Sequence, residues 1–84
     1  MTLSFPNISR SFDNARNVIR FTGYDGMFEV RFFVETGAFS TARLSEHDYL
    51  RAFDVARSKI QQTAMKIYDG KRGMSYTLTA TDLR

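Results

Sequence analysis

One histidine, nine arginines and no cysteine set the chemistry open to this chain. His47 stands between Glu46 and Asp48, and a metal site would need further ligands converging on it at helical spacing. Consecutive residues on a helix point about 100° apart, so these three side chains diverge. The two acids have another use in a first turn, where negative charge complements the helix dipole. His47 is therefore read as a solvated first-turn residue, with no metal and no cofactor. Nucleophilic catalysis needs an activated Ser, Cys or Thr beside a base. The chain has neither a cysteine nor a G-x-S-x-G elbow to engage its one imidazole. Paired carboxylates would need a cleft, for which a small sheet-and-helix layer has little room. No enzyme activity is expected and no catalytic residue is assigned.

Two basic features remain. Gly70-Lys71-Arg72-Gly73 has the glycines and cations of a phosphate loop. A true phosphate loop runs from a strand into a helix, so that the helix N-terminus faces the anion. Here the order is helix, loop, strand, and Lys71 and Arg72 instead complement the C-terminal end of the dipole. They are kept as candidate phosphate contacts for a nucleic acid. Arg57 lies at the margin of an apolar helix stripe. It is expected to lay its stem over the core edge and pair with Asp54, three residues back.

The elements that position these residues follow from periodicity. Asn17 to Tyr24 and Met27 to Glu35 are β-rich runs separated by Asp25-Gly26, a two-residue hairpin signal. A type I′ loop there pairs Tyr24 with Met27, Phe21 with Val30 and Ile19 with Phe32. Phe28 and Val34 join the same apolar face. Ile8 to Asp13 is a first strand, held extended by Pro6. Ser45 to Asp48 has the form of a capping box. Tyr49, Phe53, Ala56, Ile60, Ala64 and Ile67 then recur at spacings of three and four, widened by Leu50 and Met65. Asp69-Gly70 ends that helix. Met74, Tyr76, Leu78 and Ala80 alternate with hydroxyl residues in a last strand. The stretch 36–44 is a short helix or a loop. The sum is one domain over 1–84, an α+β two-layer sandwich. It has a small, mostly antiparallel sheet (β-β-β-α-β) and one long helix across one face.

Val18-Ile19-Arg20-Phe21 up to Asp25-Gly26, then Val30-Arg31-Phe32 and Ala38-Phe39, resembles the first half of a family of short bacterial proteins, domain of unknown function 1488. Phe53, Arg57, Ile60 and Ala64 resemble its second half. The resemblance spans most of the chain and implies a cytosolic bacterial α+β domain. It brings no activity, cofactor or catalytic residue.

Composition agrees with a small packed domain. Hydrophobic residues make up 43% of the chain, too many for a disordered one. No apolar run approaches the ~20 residues that span a bilayer, and the first residues lack a signal-peptide pattern. With no cysteine, a reducing cytoplasm is the expected location. The net charge of +3 is mild and its charges are interspersed.

The hairpin's outer face is the informative surface, because one helix covers only one side of a sheet. It carries Val18, Arg20, Tyr24, Met27, Arg31 and Phe33. In the expected register Val18 faces Phe33 and Arg20 faces Arg31, an apolar pair and a like-charge pair left in water. A homodimer through this face would bury the first and relieve the second. The expected function is thus a non-enzymatic, self-associating interaction or regulatory module. The alternative is a weak RNA- or DNA-binding module using the same face with Lys71 and Arg72.

Overall fold

The computed structural model describes residues 3–70 and 75–83. Its strands are β1 (Leu3–Ser4), β2 (Ser11–Asp13), β3 (Val18–Asp25), β4 (Phe28–Glu35) and β5 (Ser75–Leu78), with a long helix α1 (Glu46–Ile67) before β5. They form one mixed sheet in the order β1-β3-β4-β5. β1 and β2 lie end to end along the free edge of β3: Ser4 is opposite Tyr24, and Ser11 is opposite Arg20. β5 joins β4 in parallel, as expected when a helix carries the chain back across the sheet. The α+β sandwich expected from the pattern is the observed fold, with β1 as a strand that periodicity did not reveal.

The hairpin register differs from the expected one by two residues. Asp25 pairs with Phe28 and Phe21 with Phe32, leaving Gly26-Met27 as the loop. Gly26 has φ +63° and sits first in that loop, the position where a type II′ turn requires glycine. Moving the turn by one residue lets Asp25 belong to the strand and face inward. There it is buried and accepts a hydrogen bond of 2.6 Å from the Tyr68 hydroxyl at the end of α1. A two-residue slip preserves strand parity, so Ile19, Phe21, Val30, Phe32 and Val34 keep their expected face. Phe28 at the hairpin end is half exposed, however, and Met27 has left the ladder for the loop.

Ile19, Phe21, Val30, Phe32, Val34 and Leu78 on the sheet meet Tyr49, Phe53, Ile60, Ala64 and Tyr68 on the helix side. The aromatic members make a continuous set. Phe21 stacks on Phe32 with ring centroids 5.2 Å apart, and Phe53 tilts against Phe21 at 5.3 Å. Phe5, in the segment leaving β1, reaches the same pair at about 6 Å. Gly23 makes room for it, because a Cβ there would lie 2.8 Å from the Phe5 ring.

Helix α1 opens as expected, with the Ser45 hydroxyl accepting from the Asp48 amide. Its inner stripe is narrower than expected at one point: Met65 is half exposed, and Thr63 is buried in its stead. Burial of Thr63 is tolerated because its hydroxyl donates to the Lys59 carbonyl. The helix ends at Ile67, and Tyr68 is already extended, turned inward toward Asp25. Gly70 has φ +83° but follows the helix end by three residues, so it is not the cap, which is Tyr68. Between β4 and α1, a 3-10 turn over Thr36–Ala38 leads into irregular chain. The first strand is shorter than expected, and Ile8 lies outside it, exposed.

Phe53 has no solvent exposure and touches the central ring pair, so Phe53→Ala should lower unfolding free energy by about 3–5 kcal/mol. Urea denaturation measures it; a loss under about 1 kcal/mol would displace Phe53 from the core. Gly23→Val should displace Phe5 and cost about 1–3 kcal/mol. Hydrogen exchange should then quicken at Ser4 and Phe5 relative to the rest of the sheet.

Candidate functional site

The outer face of β3 and β4 is not covered by α1, and it holds a concavity of about 630 Å³. Strand alternation puts Arg20, Thr22 and Tyr24 of β3 there with Glu29, Arg31 and Phe33 of β4. The segment from Asn7 to Ser11, bowed out between β1 and β2, forms one rim.

The register changes what that face offers. Arg20 is opposite Phe33, Arg31 is opposite Thr22, and Val18 is opposite Glu35. The expected like-charge pair and the expected apolar pair are therefore both absent. Val18 and Phe33 are also buried, 7% and 8% exposed, although no helix lies over them. For Phe33 the cover is Arg16, whose guanidinium carbon sits 4.8 Å from the ring centroid. Arg16 reaches it from the turn that links β2 to β3. That turn is held by the Asp13 carboxylate accepting from the Arg16 amide, and it ends with Asn17 in the left-handed region at φ 54°. Tyr24 is half-buried, Met27 is 95% exposed at the hairpin tip, and Arg20 and Arg31 are exposed. Of the expected interaction residues, Arg20, Tyr24 and Arg31 are thus brought together at one concavity, with Phe33 as its floor. Val18 and Met27 do not line it. Lys71 and Arg72 lie outside the described residues.

The electrostatics are one-sided. Arg10, Arg16, Arg20 and Arg31 line the concavity against one carboxylate, Glu29. Glu29 lies 3.6 Å from the Arg31 Nε, and the Tyr24 hydroxyl donates to it at 3.5 Å. It therefore orients two side chains of the face. Arg10 is occupied: it donates two hydrogen bonds of 2.9 Å to Asp54 on α1, which Arg57 also meets at 2.9 Å. The Arg57 guanidinium in addition lies over the Phe53 ring, the structural role expected for it. Hydrogen bonding from Arg10, and then from Arg57, holds the Asp54 carboxyl below the usual carboxylate range. Arg16 and Arg20 have no carboxylate partner among the described residues, and Arg31, 72% exposed, meets only Glu29 at 3.6 Å, so these three are the cations that face a ligand. Arg16 was the residue missed from sequence; its place at the end of an Asp-Asn turn, in front of an outward-facing β3, was the available signal.

His47 is exposed in the first turn of α1, and no group of three or more metal-ligating side chains occurs among the described residues. No helix among them is long and apolar enough to cross a membrane.

The family model described as a protein of unknown function, DUF1488, matches residues 3–79. The chain belongs to that family. No curated protein and no solved structure matches it. The match spans the whole sheet, α1 and every residue that lines the concavity, so the outer face is part of the DUF1488 unit itself.

The Arg10–Asp54–Arg57 cluster ties the rim of the face to α1, and its acid dependence has a definite sign. A carboxyl whose pKa is lowered by folding adds stability that is present above its unfolded pKa. That stability is lost as pH falls through the folded one. Asp54→Asn should lower the thermal midpoint by roughly a few degrees at neutral pH, the groups being largely solvated. The gap from wild type should persist down to about pH 5 and close as pH falls below the ordinary carboxylate range. A gap independent of pH would remove the ionic contribution.

Proposed function

We propose that this DUF1488 chain is a non-enzymatic interaction module of the cytoplasm whose working surface is the outer sheet face, and that its partner is anionic. The observation that carries this reading is the set Arg16, Arg20 and Arg31 around one concavity lined by a single carboxylate. Guanidinium groups suit carboxylate and phosphate oxygens because their planar donor fork is rigid and permanently charged. The mild net charge of +3 suits a partner bound weakly and released readily.

Self-association is the second reading. Its apolar rationale falls with the burial of Val18 and Phe33, and Phe33→Glu is expected to destabilise the fold because it would bury a carboxylate. Two other observations favour a homodimer: Met27 stands 95% exposed, and β5 has no strand partner on its outer edge among the described residues.

Retention on immobilised heparin, a generic polyanion, tests the first reading. Wild type should elute at distinctly higher salt than Arg20→Glu or Arg31→Glu, both at exposed positions. Equal elution of all three would overturn it. Light scattering at micromolar concentration tests the second: a dimer is expected under it, and a monomer removes it without touching the first.

A further inference from the structure

We propose that the concavity on the outer face is a site for a single nucleic-acid strand, in which Arg16, Arg20 and Arg31 contact phosphates and Tyr24 stacks on a base. This rests on the reading of the outer face as an anion-binding surface and specifies the anion.

Charge complementarity favours an occupant carrying several negative groups, since Arg16 and Arg20, with no carboxylate partner among the described residues, share one recess with Arg31. The contact of Arg31 with Glu29 is a 3.6 Å ion pair in place of the two 2.9 Å hydrogen bonds that hold Arg10. Their spacing follows the strands. Arg20 and Arg31 sit on adjacent strands, and Arg16 lies beyond them over Phe33, which is itself opposite Arg20. A chain of regularly spaced charges can follow such a series along the strands.

An acidic peptide and a phosphodiester strand both satisfy the charge, and the aromatic group separates them. Tyr24 lies in the same recess with its ring partly accessible and its hydroxyl directed to Glu29. A base has a planar face to place on that ring, and an Asp or Glu side chain has none. The bases of a duplex are already stacked, so only an unpaired strand can use Tyr24. The rim adds neutral partners of the kind that contact phosphate and sugar: Asn7, Ser9 and Ser11.

The test is fluorescence anisotropy with a labelled, mixed-sequence single-stranded DNA of about 12 nucleotides. The same sequence as a duplex and polyglutamate serve as competitors. With three phosphates neutralised, the logarithm of affinity should fall with the logarithm of salt at a slope of about −2. That is a roughly 20-fold loss between about 50 and 200 mM salt. Arg20→Ala should reduce the slope by about 0.7, with Arg31→Ala as a second charge variant. Tyr24→Leu should weaken binding about tenfold and leave the slope unchanged, which a charge-only site would not show. The duplex should compete at least about tenfold less well than the strand. Equal competition by the duplex, or full affinity in Tyr24→Leu, overturns the strand site. Binding to heparin and polyglutamate without binding to the strand also overturns it, and leaves the anionic-partner reading standing. Binding to none of the three removes both.

Discussion

The stacking of Phe21 on Phe32 across the central hairpin is the interaction on which the rest of the structure depends. At 5.2 Å between centroids the two rings form a platform. Phe53 closes it from the helix side, Phe5 from the sheet edge and Tyr76 from β5. Directly opposed aromatic pairs contribute beyond their buried area. In a chain of 84 residues with no disulfide, such pairs supply a large share of a small margin. The pairing also dictates where the hairpin turns. Phe21 can face Phe32 only if Asp25 closes the ladder against Phe28, and this moves Gly26 to the first position of the loop.

That register has a second consequence at each end of the hairpin. At the turn, Asp25 becomes an inward strand residue whose carboxylate receives the Tyr68 hydroxyl, joining the end of α1 to the hairpin. On the outer face, Arg20 is separated from Arg31 and set against Phe33. Like charges that would have opposed each other become staggered cations over an aromatic floor. The stagger of these cations is thus a by-product of core packing on the opposite side of the same two strands.

Arginine also does the work of a missing layer. A two-layer sandwich leaves one face of its sheet to water, and an outward Phe33 would ordinarily mark a contact surface. Arg16 covers the ring with a guanidinium that keeps its charge in solvent. The apolar patch is removed and a cation is added at the same position. The face thereby carries a guanidinium where periodicity alone placed an exposed ring. The Arg10–Asp54–Arg57 cluster extends the same economy to the edge, neutralising one arginine while holding the bowed segment beside α1.

Much of this was legible in the residues themselves. The α+β class, the helix with its Ser45 cap and Phe53 stripe, the face assignment of both hairpin strands and the Arg57–Asp54 pair all follow from period and turn chemistry. These are local properties, and strand parity survives a two-residue error in register. The same holds for the resemblance to the family, which rests on core and turn residues of this chain such as Phe21, Gly26, Phe32 and Phe53. The tertiary structure alone decided the register, because two adjacent loops satisfied the Asp25-Gly26 signal and only the ring pair and the Tyr68 bond distinguish them. It alone decided that β1 and β2 share one edge of β3, since a two-residue strand has no period to read. It alone decided that Phe33 is covered, because the cation that covers it comes from a neighbouring turn. Periodicity gives the direction in which a side chain leaves the backbone; what it meets there depends on chain segments that only the fold brings together.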